Sequence, residues 1–272
     1  MVIFNGKKIA HQLLVNLKKK IKKEKVEPVL AVISVGEDLS SKVFIRNKKR
    51  AAKQVGVKIR HYHFNQKIRQ EKIVNLIKKL NKDKSINAII IQLPLPKKFS
   101  AAKVIGLISP AKDVDGFNKN SHFQPPLILA ILTALKRASS LKELKKKKIV
   151  ALVNSEIFGQ TLKLYLQKEG LRVNYLKRPF NYRLSRLRSA DVIITVCGQP
   201  GLIKGEMIKA GVILIDGGII VLPNKQVIGD IDQTGVRKKA QFLTPVPKGL
   251  GPLTIAYLLK NVYEASKFSP NY

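Results

Sequence analysis

One short segment places a hydroxyl, an aromatic ring and an amine at helical spacing. In VGEDLSSKVFIRNKKRAA, Ser41, Phe44 and Lys48 are separated by three and four residues, so a helix capped by Asp38 or Ser40 would present all three on one face. Three groups capable of chemistry would then lie together, which makes this face a candidate functional site. The same spacing also fits ordinary amphipathic packing, and this segment alone leaves both interpretations open.

Two further polar features lie at ends of predicted structure. Gln92 interrupts the apolar run IIIQLPLP before Pro94, which puts an amide at the carboxyl end of a strand, where open α/β sheets bind ligands. KDVDG supplies Asp113 and Asp115 in a turn. The competing interpretations are a hydrogen-bonded polar residue at a strand end and an Asp turn that bonds its own backbone.

The second half of the chain contains a weaker signal for a phosphate. KIVALVNSEIFGQTL predicts strand, turn and helix, the setting in which a phosphate binds a helix N-terminus. Only Gly159 remains of the glycines that a dinucleotide fingerprint would show. TPVPKGLGPLT at 244–254 predicts a rigid turn entering a helix, suited to close backbone approach to a ligand or to a purely structural loop.

The elements that must position these residues alternate along the chain. Strands are predicted at 29–35, 57–64, 86–95, 148–153, 190–196 and 211–216, with helix-period segments between them. This pattern predicts an α/β fold with parallel sheets. The rhythm breaks between 110 and 148, so we predict two domains, 1–122 and 123–251, with a C-terminal helix at 252–272 that packs back on the first.

Composition narrows the class of protein. The 272 residues include one cysteine, Cys197, and no membrane-length apolar run, which predicts a cytoplasmic protein without disulfides. His61 and His63 would share a strand face, but no further ligands are visible, so we expect no metal site. The net charge of +35 is spread over most helical segments without interleaved aromatics. It favours a solvated basic surface, with nucleic-acid binding as the alternative.

Taken in order, the motifs resemble the FolD-type family of bifunctional methylenetetrahydrofolate dehydrogenases and cyclohydrolases over nearly the whole chain. The most specific segments are VGEDLSSKVFIRNKKRAA, IIIQLPLP, ISPAKDVDGF, VCGQPGLIKGEMIKAGVILIDGGI, VIGDID and TPVPKGLGPLTIAYLLKNV. The resemblance implies two α/β lobes, an N-terminal folate lobe and a C-terminal Rossmann-like doubly wound lobe, in a homodimer. It implies oxidation of methylenetetrahydrofolate with NADP as the cofactor, then hydrolysis of the methenyl product to formyltetrahydrofolate.

The resemblance also assigns residues to roles. It implies that Lys48 is the catalytic lysine, Gln92 its partner amide and Asp115 the acid that holds the pterin ring. The remaining implied contacts are to the folate, from Ser41, Phe44, Pro247 and Gly249, and to the cofactor, from Asn154, Ser155, Arg178 and Ile219.

Several positions depart from the family pattern. Phe44 stands where the family usually has tyrosine, which removes a hydroxyl beside the lysine. Val153, Asn154 and Ser155 replace a turn that usually begins with glycine. Lys248 stands where glycine is usual, and FQPPL at 123–127 replaces a longer PCTP segment. We expect NADP as the cofactor, with NAD possible. An alternative is that this protein is a family member that retains only the cyclohydrolase activity.

Overall fold

The computed structural model describes residues 1–118, 120–180, 185 and 187–268 and has an α/β architecture. The strands are β1 (Val2–Ile3), β2 (Val29–Val35), β3 (Lys58–Phe64), β4 (Ala88–Ile91), β5 (Ile149–Val153), β6 (Val173–Lys177), β7 (Val192–Val196), β8 (Val212–Asp216), β9 (Ile220–Val221), β10 (Val227–Ile228) and β11 (Ala240–Leu243). The helices are α1 (Gly6–Glu24), α2 (Leu39–Val55), α3 (Gln70–Lys82), α4 (Ala101–Ile105), α5 (Pro126–Ala138), α6 (Leu141–Leu144), α7 (Glu156–Lys168) and α8 (Leu250–Phe268). No helix within these described ranges is long and apolar enough to span a bilayer.

Internal contacts divide the chain into two compact units. The three-strand unit comprises Ala10–Pro126 and the residues of α8 from Ile255 onward. The six-strand unit comprises Met1–Ile9 and Leu127–Thr254. The first nine residues belong to the six-strand unit because β1 pairs in parallel with β11.

The three-strand unit is built on a parallel sheet in the order β3-β2-β4. Its central strand, VLAVISV, is buried on both faces, as its near-continuous apolar sequence predicts. One face packs under α2 and α8, whose core side chains include Ile45, Leu259 and Tyr263. The other face packs under α3, through Ile73 and Ile77. The sheet therefore fixes α2 directly above the strand ends that carry polar side chains.

The six-strand unit contains an entirely parallel sheet in the order β1-β11-β8-β7-β5-β6. From β5 the chain passes to β6 on one side and then to β7 on the other, so the connections reverse direction beside β5. In such doubly wound sheets, ligands bind outside the carboxyl ends of the strands at this reversal point. The predicted α/β class with a Rossmann-like lobe is confirmed.

Candidate active site

Asp38 and Gly56 cap the two ends of helix α2. The Asp38 carboxylate accepts a hydrogen bond from the backbone N–H of Ser41, with Asp38 Oδ2 2.7 Å from the nitrogen, so Asp38 rather than Ser40 is the N-cap. Gly56, with φ of 90°, ends the helix in the left-handed region that glycine adopts without strain. The helix thereby presents Phe44 and Lys48 one turn apart.

Lys48 and Gln92, 44 residues apart in sequence, form a direct hydrogen bond. The Lys48 ammonium nitrogen Nζ donates to Gln92 Oε1 at 3.0 Å. Gln92 is itself held, because its side-chain Nε2 donates to the carbonyl of Leu93 at 2.8 Å and its backbone N–H donates to Ile33. Only 7% of Lys48 is exposed. The strand end and the helix face predicted separately from the sequence thus form one polar centre, the lysine site, which Asp115 completes.

The electrostatics of the lysine site favour neutral forms. Burial lowers the pKa of Lys48, and the nearby Asp115 carboxylate opposes that shift. Burial likewise raises the pKa of Asp115, and the Lys48 charge opposes it. The amine is therefore closer to its neutral form at physiological pH than a surface lysine would be. A buried lysine with a lowered pKa can accept and return a proton, which is the property that general base catalysis needs.

Asp113 and Asp115, two residues apart, have different roles. Asp113 accepts hydrogen bonds from the backbone N–H groups of Gly116 and Asn118, at 3.2 and 2.7 Å. Burial raises the pKa of Asp113 to about 6. This carboxylate shapes its own loop, as the Asp-turn interpretation predicts, and so positions Asp115 beside Lys48.

Phe44 and Ser41 flank the lysine site. The Lys48 Nζ atom lies 6.0 Å from the centroid of the Phe44 ring, within reach of a cation–π interaction. Phe44 is half-buried and packs against the core below α2. The Ser41 hydroxyl donates to the carbonyl of Leu93 at 3.3 Å, so it also ties α2 to the segment that follows Gln92.

The four residues assigned to a cofactor lie in the six-strand unit, each just beyond the carboxyl end of a parallel strand. Asn154 and Ser155 follow β5, Arg178 follows β6 and Ile219 lies beyond β8. Ser155 caps α7, because its hydroxyl accepts a hydrogen bond from the backbone N–H of Phe158 at 3.2 Å. Arg178 is exposed. The predicted strand, turn and helix are present, at the end of the sheet where a phosphate would bind.

Gly159 allows α7 to lie against the sheet. A β-carbon built at this position would be 2.5 Å from Cδ2 of the Tyr175 ring on β6, a distance that no real contact tolerates. Close packing of the first helix on the sheet is one function of the glycines in a dinucleotide fingerprint. The single glycine that the sequence retains therefore serves that function.

Two buried carboxylates, Asp216 and Asp230, accept hydrogen bonds from the loops at the same end of the sheet. Neither was among the residues predicted to have a role. Asp216, at the end of β8, accepts backbone hydrogen bonds from Gly218, Asp230 and Ile231. Asp230 accepts from the backbone of Cys197 and Gln199, both at 2.7 Å. Burial, followed by the neighbouring Asp230, raises the pKa of Asp216 to about 7. An acidic residue directly after a buried apolar strand is the signal that could have indicated Asp216.

Pro247 and Gly249, expected to contact folate, lie in the six-strand unit in the turn before α8. The backbone N–H of Gly249 donates to the carbonyl of Pro245 at 2.8 Å, and that of Lys7 donates to the carbonyl of Lys248 at 3.0 Å. A β-carbon at Gly6 would be 1.9 Å from the carbonyl oxygen of Gly249. Backbone contacts, rather than side chains, therefore fix this turn.

His61 and His63 are the two histidines for which the sequence predicts no metal site, because it shows no further ligands near them. Within residues 1–118, 120–180, 185 and 187–268, no three His, Cys, Asp or Glu side chains are grouped as a metal ion would require. The two imidazoles instead form hydrogen bonds to Ser34, at 2.9 and 3.1 Å.

Comparison with known proteins agrees with this geometry. The catalytic domain of tetrahydrofolate dehydrogenase/cyclohydrolase matches residues 4–115, and the NAD(P)-binding domain of the same family matches residues 126–269. The bifunctional protein FolD of Agathobacter rectalis is 37% identical, with 97% of this chain and 99% of the relative covered. The FolD of Moorella thermoacetica is 36% identical, with 97% and 98% covered.

Solved structures give the same result. The bifunctional FolD enzyme of Campylobacter jejuni has a TM-score of 0.85 and 33% identity, over 98% of this chain and 99% of that one. The Trypanosoma brucei FolD, solved with NADP cofactor and an inhibitor, has a TM-score of 0.88 and 27% identity, over 100% and 99%. With both family domains matched in order along almost the whole chain, this protein belongs to the tetrahydrofolate dehydrogenase/cyclohydrolase family.

Proposed function

We propose that this protein oxidises 5,10-methylenetetrahydrofolate with NADP and then hydrolyses the methenyl product to 10-formyltetrahydrofolate. The observation that carries the proposal is the lysine site, in which a buried amine is hydrogen-bonded to an amide and coupled to a carboxylate. Relatives that are 36% and 37% identical over almost their whole length are bifunctional FolD proteins.

The hydrolytic step follows from the state of Lys48. Its Nζ donates to Gln92 Oε1, so in the neutral amine the lone pair is available to accept a proton from water. Water adds to the cationic methenyl carbon, and one of its protons passes to Lys48. The bond from this carbon to N5 then breaks as N5 is protonated, and loss of the remaining hydroxyl proton leaves a formyl group on N10. A cationic substrate next to the amine lowers the pKa of Lys48 further, which favours the form that accepts the proton.

Asp115 and Phe44 bind rather than react. A carboxylate can accept paired hydrogen bonds from the donor edge of a pterin, and Phe44 offers an aromatic face for stacking beside it. The protonated form of Lys48 opposes the effect of burial on the pKa of Asp115 and so favours the ionised carboxylate, whereas the hydrolytic step uses the neutral form of Lys48. Phe44 stands where the family usually has tyrosine. We expect this difference to lower activity more than it weakens folate binding, because the ring can still stack on the folate without the hydroxyl.

The six-strand unit fits a dinucleotide. Gly159 gives the close helix–sheet packing, α7 offers its N-terminus after β5, and the exposed Arg178 and Lys177 supply positive charge for a phosphate. NADP, when bound, supplies the hydride acceptor for the oxidation. Asn154, Ser155, Arg178 and Ile219 are the residues that we propose to hold it. A homodimer stays a prediction from the family resemblance, and a cytoplasmic location stays a prediction from the composition.

The test is turnover by the purified protein. Oxidation of methylenetetrahydrofolate is followed with NADP and separately with NAD, and hydrolysis is followed from supplied methenyltetrahydrofolate. Lys48→Met is compared with Lys53→Met, which removes an exposed lysine from the same helix. We expect Lys48→Met to lower hydrolysis by about 100-fold or more, the range of general acid–base contributions, and Lys53→Met to behave as the unaltered protein.

The outcomes separate the alternatives. Oxidation and hydrolysis that both depend on Lys48 support the bifunctional enzyme. Hydrolysis without oxidation by either cofactor supports a member that retains only the cyclohydrolase. If neither reaction exceeds that of Lys48→Met, the proposal fails.

A further inference from the structure

A cavity lies in the three-strand unit beside the N-terminal half of α2. Its volume is about 590 Å³, within the range of small-molecule sites. It is lined by the carboxyl end of β2, two side chains of β3, the N-terminal turns of α2 and Gln92. Its charged or titratable lining residues are Glu37, Asp38, Lys42, Arg46, Lys49, His61 and His63. The cavity shares Ser41 and Gln92 with the lysine site and its surroundings, whereas Phe44, Lys48 and Asp115 are not among its lining residues, so it adjoins that site without including its amine or its carboxylate.

The floor of the cavity is a continuous hydrogen-bonded chain. Ser34 continues the row of β2 side chains that faces α2, and β3 runs beside it in register. The Ser34 hydroxyl lies 2.9 Å from His61 Nε2 and 3.1 Å from His63 Nδ1. At the ends of the chain, Lys49 Nζ lies 3.2 Å from His61 Nδ1, and His63 Nε2 lies 2.9 Å from Glu37.

One assignment of protons satisfies every hydrogen bond in this chain of side chains. If both imidazoles are neutral, Lys49 donates to His61, His61 to Ser34, Ser34 to His63, and His63 to Glu37, so each contact has one donor and one acceptor. Burial, the Lys49 charge and His63 all lower the pKa of His61, which agrees with a neutral ring in a positive environment. In this assignment the imidazoles carry no charge, and the positive charge beside them comes from the lysine and arginine side chains that line the cavity.

The carboxylates at the cavity are already engaged, whereas two cations are not neutralised. Glu37 pairs with Lys42 and His63, and Asp38 caps α2. Among the described residues, no carboxylate lies within ion-pair distance of Arg46 or Lys49. Lys49 uses one of its three N–H donors on His61 and keeps the others. Arg46 offers a planar fork that matches an oxyanion.

We propose that this cavity is a binding site for an oxyanion, a phosphate or carboxylate group of a small molecule, held by Arg46 and Lys49. Gln92 lines the cavity and also accepts the Lys48 hydrogen bond, so the bound group would lie next to the amide of the lysine site. Two sources carry this chemistry: a free phosphate compound, or the glutamyl carboxylates at the tail of a folate. The second source rests on the proposed function, whereas the first does not.

The first experimental arm measures binding of inorganic phosphate to the full-length protein by calorimetry at constant ionic strength. Arg46→Gln/Lys49→Gln removes the two cations of the site. Arg50→Gln/Lys53→Gln removes one arginine and one lysine from exposed positions of the same helix, and so controls for the general basic charge. We expect saturable binding that weakens about tenfold or more in the first variant and is unchanged in the second. Thermal melting verifies that both variants are folded.

The second arm compares a monoglutamyl with a triglutamyl folate by equilibrium binding, which needs no turnover. If triglutamyl folate binds more tightly and only Arg46→Gln/Lys49→Gln removes that advantage, the carboxylates of the folate tail are the source. If phosphate binds through Arg46 and Lys49 and tail length has no effect, the source is a free phosphate compound. If neither arm shows a loss specific to Arg46→Gln/Lys49→Gln, the site does not exist, whether or not the protein turns over folate.

Discussion

The lysine site and the strand ends of the six-strand unit hold their functional groups in different ways. In the lysine site the chemistry belongs to three side chains, Lys48, Gln92 and Asp115, each with a specific neighbour. At the strand ends of the six-strand unit, shape comes from the backbone. Gly159 admits a helix, and Asp216 and Asp230 collect backbone N–H groups from the surrounding loops.

The difference explains how each region accommodates departures from the family pattern. Val153 stands at the end of β5 where the family usually has a glycine. Its carbonyl nevertheless accepts a hydrogen bond from the backbone N–H of Arg178, and the backbone N–H of Asn154 donates to the carbonyl of Val196, both at 3.1 Å. A side-chain change there leaves the backbone frame intact. In the lysine site the loss of one hydroxyl at Phe44 removes a hydrogen-bonding group directly, because side chains are the functional groups.

The largest expected effect comes from a charge added inside the lysine site. Gln92→Glu places a carboxylate where Oε1 now lies 3.0 Å from Lys48 Nζ, so it raises the pKa of Lys48 and holds the amine protonated. Hydrolysis near neutral pH should therefore fall steeply, by about 100-fold if proton transfer to Lys48 is lost. The measurement is the hydrolysis rate of methenyltetrahydrofolate from pH 6 to 10, and the rising limb should move to higher pH. Gln54→Glu, at an exposed position on α2, is the control. An unshifted profile in Gln92→Glu would show that Lys48 is not the titrating base.

The next effect tests backbone shape in the six-strand unit. Gly159→Ala places a methyl group against the Tyr175 ring, and this overpacking should lower the free energy of unfolding by about 1–3 kcal/mol. Denaturant unfolding measures the change, and NADP binding should weaken with it.

A double-mutant cycle with Tyr175→Ala identifies the cause of this effect. With the ring removed, Gly159→Ala should become neutral or stabilising, since alanine is the better helix former by about 1 kcal/mol. If the cost of Gly159→Ala persists in the Tyr175→Ala background, the close approach of helix and strand is not its source.

A pH-dependent stability effect is expected from the buried acid pair. The pKa of Asp216 is about 7 in the folded protein and 3.8 ordinarily, so between these values the folded state retains a proton that the unfolded chain releases. The contribution of Asp216 to stability is therefore fully present below about pH 4 and is lost as pH rises to about 7. The shift of about 3 pKa units, from 3.8 to about 7, corresponds to about 4 kcal/mol across this pH range.

Unfolding free energies measured at several pH values test this contribution. In Asp216→Asn the side chain is neutral throughout, so the part of the slope due to Asp216 should vanish, although the variant is less stable at every pH. Asp232→Asn, at an exposed position, should keep the slope. Equal slopes in the unaltered protein and Asp216→Asn would contradict the assignment.

Much of the fold follows from the sequence because the central strands are apolar on both faces. VLAVISV is predicted as a strand at 29–35 and forms β2 over those residues, and α5 covers the predicted apolar helix at 126–138. The strand predicted at 86–95 ends at Ile91, before the two prolines that stop pairing. The short strand β11 was missed, because the four residues AQFL are too few to show a period.

The candidate site divides in the same way. Lys48 and Gln92 could be indicated by helical spacing and by a polar interruption of a strand, which are local signals. The position of Asp216 at the end of an apolar strand is likewise a local signal. The partners of Asp216 and Asp230 could not be predicted, because they come from loops that converge only in the folded sheet. Ser34 was missed because its histidine partners lie on the neighbouring strand, and their register appears only when the sheet forms.

The smallest effect tests how far backbone shape outweighs side-chain identity in the turn before α8. Lys248 stands where the family usually has glycine and has a φ of 83°, a conformation that costs an L-residue about 1–2 kcal/mol. Lys248→Gly removes that strain but gives the unfolded chain about 0.5–1 kcal/mol of extra entropy, so unfolding should become harder by roughly 0.5 kcal/mol. Lys248→Ala, which keeps the β-carbon, should give no such gain. If alanine stabilises as much as glycine, the lysine side chain itself rather than the left-handed backbone is unfavourable, and this turn resembles the lysine site in depending on side chains.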